Sequence, residues 1–407
     1  MQSVQATIAE RTCRVQESIR LRSTDDGTDQ HYSLREPMNI YINDSPVRNL
    51  SGLDQFLRLE VEPVLFKTNY RAVSRRLPSI TISLTLSLLA ALPADAFAWG
   101  NHGHRIVARI AANYLNSKAA SAVDELLRTD PYLKQKCPQD TSIELRLACI
   151  ASWPDPPVKD ERPYTANWHF VDIPVSMSGG IPARLSAYDA ARDCAMSSRG
   201  DCAILALDRL QYVLANSKEE AISRAEALKF IVHIVGDLHQ PLHSVTDKKD
   251  FDDPKDLGDL GGNSKVVQWL GMDTSPRWAG YHWNLHLVWD EGIIDNTLAL
   301  LKTDEDGYLK KLLSTLPPRE SNRLAMYQTG NAVAWAEEAY MQAVLHVYAS
   351  LPPPDKTYKY STREGKEASG GYILDSSYYE ANAEIVDAQL RKGGLRLAKL
   401  LNDLLGK

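Results

Sequence analysis

His233 and Asp237 stand four residues apart in an otherwise apolar run, Phe230 to Leu238, and His286 and Asp290 repeat that spacing further along the chain. On a helix this spacing puts both side chains on one face, one turn apart. His243 follows directly after a break at Pro241, and His104, Asp155 and His169 lie upstream in comparably apolar or aromatic surroundings. A buried carboxylate is costly unless it is paired or holds a cation. Imidazole nitrogens and carboxylate oxygens are also the ligands that zinc takes. One His-x3-Asp pair alone would read as a satisfied polar pair in a core; two of them, with further His and Asp in similar settings, point to a metal cluster. His102, His239, His282 and His346 lack a paired Asp and read as surface or supporting histidines.

The elements that must position these residues are helical. Ile106, Val107, Ile110, Ala111, Tyr114 and Leu115 recur at helical spacing just after His104. Further helices are expected at 117–128, 201–215, 218–240, from Asn284 onward, at 321–349 and at 381–405, with a polar loop across 355–375. No strand-turn-strand rhythm is evident. Residues 99–407 therefore read as all-α, a single domain of packed helices.

The N-terminal quarter reads differently. Arg71 to Arg76 is a positive stretch, Ile80 to Leu92 is apolar, and Ala96-Phe97-Ala98 supplies small residues, which together read as a signal peptide over 71–98 cleaved before Trp99. The apolar run is too short for a comfortable membrane span, so no anchor is expected after cleavage, and the product is expected to be secreted or periplasmic. Residues 1–70 read as a non-native or disordered extension. Cys137, Cys149, Cys194 and Cys202 follow the cleavage site, an even number that favours disulfides in an exported protein. Neighbour pairing is the simplest of three connectivities. The chain of 407 residues has a formal charge of -6, so no broad basic surface advertises nucleic acid. Bound zinc ions would nonetheless concentrate positive charge at one place.

Several segments carry a family resemblance: Trp99-Gly100 with Gly103-His104, Ser152-Trp153-Pro154-Asp155, Trp168-His169-Phe170-Val171-Asp172, His233 to Asp237, Gln240-Pro241-Leu242-His243, Gly261-Gly262-Asn263, Asn284 to Asp290, and Gln389 to Ala398. In this order the chain resembles the S1/P1 nucleases, whose site holds three zinc ions and is shared with zinc phospholipases C. The resemblance implies one zinc on Asp155, His169, His233 and Asp237, and a second on His243, His286 and Asp290. It places a third on the α-amino nitrogen and carbonyl of Trp99, on His104 and on a bridging Asp237. Asp155 would also orient the attacking water.

Phe170 and Asp172, with Gly261 and Asn263, are implied to receive a nucleobase. Stacking accepts any unpaired base, so the implied substrates are single-stranded DNA and RNA and 3′-nucleotides, read with low sequence specificity. No stable protein partner is implied. One departure stands out: the family often carries Lys or Arg where this chain has Val158, leaving Lys159 or Arg162 to replace it. A zinc phospholipase C and a non-catalytic zinc-binding protein are the alternatives. The Phe170/Asp172 pair and the Gly-Gly-Asn loop favour a nuclease over the first, and the dispersed histidines disfavour the second.

Overall fold

The computed structural model describes residues 99–406 except 138–141, 157, 195–200, 254, 278–280 and 362–365, together with the backbone of an N-terminal hairpin. That hairpin pairs β1 (Ile40–Ile42) with β2 (Ser45–Val47) in antiparallel register and belongs to a unit, Met1–Ser87, separate from the body of the protein. The signal peptide expected over 71–98 lies outside the described residues, as does the extension expected over 1–70 apart from the hairpin.

The body is mainly helical, as expected. Its principal helices are α1 (Gly100–Tyr114), α2 (Ser117–Thr129), α3 (Ile143–Ile150), α4 (Ala203–Ala215), α5 (Ala221–Asp237), α6 (Ile293–Leu301), α7 (Glu305–Ser314), α8 (Ala332–Gln342) and α9 (Ser376–Leu405). Side-chain caps start several of them: Asn116 accepts from Ala119 N–H at 2.8 Å before α2, and Asp375 from Ser377 N–H at 2.9 Å before α9. The long α9 lies against α1, and α4 lies against α5. From Ala227 to Asp237, α5 is buried on every side, as a helix through the middle of a domain must be. Trp99, Phe230, Trp269, Trp289, Tyr308 and Tyr348 are among its largest fully buried side chains.

Two expectations need correction. The segment 321–349 is not one helix: a short turn, Leu324–Tyr327, is separated from α8 by Gly330, and Asn331 caps α8 afresh by accepting from Ala334 N–H. The stretch 355–375 is not a loop but mostly strand. Here β7 (Asp355–Ser361) pairs antiparallel with β8 (Glu367–Leu374), which runs parallel to β6 (Val267–Trp269). A second small sheet joins β3 (Pro174–Ser178), β4 (Ile181–Arg184) and β5 (Thr246–Asp247) in the order β4-β3-β5. Strands β7 and β8 bury little and lack the apolar alternation by which a strand is read, and β3 to β6 are too short to display one.

Both disulfides join neighbouring cysteines, Cys137 to Cys149 and Cys194 to Cys202.

Candidate metal centre and adjoining cavity

Five elements, together with the turn after α3 that carries Asp155, converge on one buried point. The first turn of α1 supplies His104, and a 3-10 segment, Pro163–His169, ends on His169. The last two turns of α5 supply His233 and Asp237, and the 3-10 turn Pro241–Ser244 supplies His243. The fifth begins at Asn284, whose side chain accepts from Leu287 N–H at 2.8 Å. It carries His286 and then, in a π-helical turn Val288–Gly292, Asp290. Wide turns of this kind recur at functional sites. Close approach is permitted by Gly236, where a Cβ would lie 2.7 Å from His104 Nδ1.

The ligand-type atoms form three groups, each within 4.8 Å of one another: Asp155 with His169 and His233; His104 with His233 and Asp237; and His243 with His286 and Asp290. His233 Nε2 is 3.1 Å from Asp237 Oδ2 and 3.7 Å from Asp155 Oδ1. His104 Nε2 is 3.2 Å from Asp237 Oδ1, and His286 Nε2 is 3.3 Å from Asp290 Oδ2. Trp99, fully buried, donates its backbone N–H to Asp290 Oδ1 at 3.2 Å and its indole N–H to Gly236 O at 2.6 Å. Thus all eight candidate side-chain ligands come together, and the nitrogen of Trp99 lies at Asp290.

The donor set fits a cation. Nδ1–H of His233 donates to Ala151 O at 2.8 Å, that of His243 to His169 O at 2.7 Å, and that of His286 to Gly261 O at 2.7 Å. A carbonyl can only accept, so these bonds fix the tautomer and turn the Nε2 lone pairs toward the cluster. The Nε2 atoms of His243 and His286 then face each other at 3.1 Å, which requires a proton or a metal between them. Among the described residues, thirteen buried side-chain N or O atoms lack a hydrogen-bond partner, and seven of these belong to His104, Asp155, His169 and Asp237. Unsatisfied polar atoms are rare in native cores; concentrated here, they mark where an ion belongs.

Electrostatics agree. Burial pushes Asp155 up to about 7. It lowers His104 to about 4 and His169 to about 3, so both imidazoles are neutral and able to ligate. Burial alone would raise Asp237, but His233 and His243 hold it well below the usual carboxylate range. Burial would likewise lower His243, yet Asp237 and Asp290 carry it up to about 9. A positive charge is therefore favoured between His243, Asp237 and Asp290.

Beside the cluster, Phe170 and Asp172 line a cavity of about 270 Å3 with Asn167, Arg192, Lys248 and the Cys194–Cys202 bridge. Burial, reinforced by Asp193 and Asp259, pushes the Asp172 carboxyl up to about 7. Gly261 has φ +61, and a Cβ there would lie 2.3 Å from Leu242 O. Its role in the structure is the carbonyl that fixes His286. Asn263 is exposed and donates to Leu260 O at 2.9 Å; neither Gly261 nor Asn263 lines the cavity, whereas Leu260 does.

A family model described as S1/P1 Nuclease matches residues 99–406. The chain belongs to the S1/P1 nuclease family. Its relatives include Endonuclease 3 of Arabidopsis thaliana, 29% identical over 78% of this chain and 93% of that protein. Nuclease P1 of Penicillium citrinum is 27% identical over 76% of this chain and 98% of its own length. Nuclease S1 of Aspergillus oryzae is 26% identical over 81% and 97%. Membership in this zinc-dependent nuclease family makes the chain a hydrolase acting on phosphodiester bonds, with His and Asp groups suited to the metal. No described helix is long and apolar enough to cross a membrane.

Against the family pattern, Val158 is buried in the core. Arg162 is engaged elsewhere, donating to Glu226 at 2.6 Å and lying over the Trp153 ring. Lys159, half-buried, is close enough to act electrostatically on Asp155, His169 and His286. Sequence reading also missed Gln240, which donates to Asp290 Oδ1 at 2.7 Å and accepts from Leu242 N–H at 2.6 Å. Its place directly before Pro241 and His243 was the available signal.

Proposed function

We propose that this S1/P1-type enzyme cleaves single-stranded DNA and RNA endonucleolytically, with low sequence specificity, and removes phosphate from 3′-nucleotides. It acts with three zinc ions per chain, held by the backbone of Trp99 and the side chains of His104, Asp155, His169, His233, Asp237, His243, His286 and Asp290. The observation that carries this reading is the concentration of unpartnered buried His and Asp atoms beside the cavity of Phe170 and Asp172. When bound, zinc supplies a water acidic enough to attack at neutral pH and neutralises charge on the phosphate.

The chain's own residues do the rest. Asp155 orients the attacking water through the carboxylate oxygen not facing His233. Phe170 offers a ring for an unpaired base to stack on, and Asp172 hydrogen-bonds its edge, accepting when ionised and donating when protonated. Lys159 takes the place of the absent basic residue at 158 and faces the phosphate. Gln240 holds Asp290 in position. We further propose that the functional protein is exported and begins at Trp99 after removal of 71–98. Its two disulfides support an oxidising destination.

The test is to purify residues 99–407, measure zinc per chain, and assay single-stranded DNA, duplex DNA and lecithin with and without chelator. Chelator-sensitive cleavage of the single strand is the expected result. Phosphocholine release from lecithin with the DNA untouched would transfer the site to a phospholipase C.

A further inference from the structure

Lys229 carries a buried ammonium that the metal centre does not use. It stands one turn of α5 before His233. Taking an ammonium out of water is costly unless it is paired. Here Nζ donates to Asp130 Oδ2 at 2.6 Å and lies 3.8 Å from the centroid of the Trp153 ring, with Tyr132 at 6.0 Å. Desolvation strengthens such a contact between a cation and a ring face. Asp130 is buried as well, and its other oxygen accepts from Leu133 N–H at 2.9 Å.

The ring beside the ammonium belongs to the segment that carries Asp155. Trp153 stands two residues before that carboxylate, and Ala151, two residues earlier again, accepts from His233 Nδ1–H at 2.8 Å. Phe230 meets the Trp153 ring edge to face, with centroids 5.4 Å apart. Further along, Arg162 donates to Glu226 at 2.6 Å. Glu226, Phe230, His233 and Asp237 follow one another at intervals of three and four, a single stripe of α5, with Lys229 beside it. The helix that bears His233 and Asp237 thus also grips the segment that bears Asp155. The Arg162–Glu226 pair is partly exposed, where ion pairs contribute little. The buried hold is the one at Lys229.

We propose that Lys229 is a positioning residue for the reaction. By holding the Trp153 indole against α5, it fixes Asp155 in register with His233 and Asp237. The inference rests on the nuclease reading above and adds a residue outside the ligand set. A cation that only neutralised Asp130 would matter to folding and not to the site. One that sets Asp155 matters to the metal and to the attacking water.

The experiment compares wild type with Asp130→Asn/Lys229→Met, which removes both charges so that no buried carboxylate is stranded, and with Lys229→Arg, which keeps a cation over the ring. For each protein it measures cleavage of a thymidine dinucleotide, zinc retained during titration with chelator, and denaturant unfolding without zinc. The double variant should lose about tenfold in kcat, the lower end of what support of a metal ligand is worth, with KM unchanged. It should also release zinc at lower chelator, and Lys229→Arg should recover both. Trp153→Leu, which keeps the ion pair and removes the ring, should reproduce the same losses; it decides the matter if the double variant does not fold. Easier unfolding with kcat and zinc retention at wild-type values would make Lys229 a structural residue and overturn the inference. Trp153→Leu with wild-type kcat and zinc retention would do the same. Wild type that leaves the dinucleotide uncut would overturn the nuclease reading instead, and zinc retention in the variants would then decide whether Lys229 sets Asp155.

Discussion

Two groups of buried histidine sit within a few residues of each other at the end of α5, and they are completed in opposite ways. His239 is fully buried, yet each ring nitrogen has a protein partner: Nδ1–H donates to Val235 O at 2.7 Å, and Nε2 accepts from Arg396 Nη1 at 2.9 Å. Arg396 continues to Glu338, which Lys392 also binds, and Gln389 donates to the His239 carbonyl at 3.1 Å. One donor, Arg396 Nε, is left over. Around His233 and Asp237 the reverse holds: neighbouring Asp and His atoms are buried together with no partner. The comparison separates a polar network that the chain finishes itself from one that it leaves for an ion. Burial and residue type are the same in both; the difference is whether a guanidinium or a metal supplies the positive charge.

The largest effect expected from breaking this contrast is at Asp237, which belongs to one of the three ligand groups and lies 3.3 Å from His169 of a second. Asp237→Asn should lower hydrolysis of single-stranded DNA by more than about a hundredfold, since even residues that only support metal ligands reach that scale. Metal analysis should find reduced zinc per chain. Normal activity with full zinc would remove Asp237 from the centre.

Next in size is the N-terminus. A residue added before Trp99 converts its amine to an amide, a poor ligand, so metal analysis should find one zinc fewer than in protein beginning at Trp99. Equal zinc content in the two forms would take the Trp99 nitrogen out of the ligand set.

The closed network should respond in stability instead. Arg396→Met strands His239 Nε2 and weakens the hold on Glu338, and should cost about 3 kcal/mol in denaturant unfolding at constant zinc. Zinc per chain should not change.

The smallest effect is a pH slope. Burial and the nearby Arg396 lower His239 to about 3. A depressed histidine contributes stability that is intact above its unfolded value near 6.5 and is lost as pH falls toward 3. His239→Gln should remove that loss, flattening the stability curve between those limits by about 1 kcal/mol per pH unit relative to wild type. Parallel curves would mean that His239 is not held neutral.

The parts of this molecule legible in the sequence are those in which residue type and helical spacing say the same thing. His233 with Asp237 and His286 with Asp290 needed only a helix to become neighbours. His239 was less legible, because a histidine without an adjacent Asp looks like a surface residue; its partner Arg396 is far away in sequence. The carbonyls of Ala151 and Gly261 left no mark, since every residue has one and only the fold aims it. The β7–β8 hairpin was hidden because Tyr358 and Tyr360 are spaced by lysine and threonine and do not enter a core. Gly330 and Asn331 were a visible stop signal inside an apolar pattern that the periodicity of 321–349 overrode.

The Cys137–Cys149 bridge has a consequence for how His233 is held. Cys149 lies in α3, and the next turn presents the Ala151 carbonyl that sets the tautomer of His233. Oxidation of two thiols thus secures the segment that makes one imidazole ready for metal. In a reducing compartment that bridge is opposed by the thiol pool, and the segment bearing the carbonyl loses its tie. An oxidising environment and the orientation of one imidazole are in this way joined through two residues of chain.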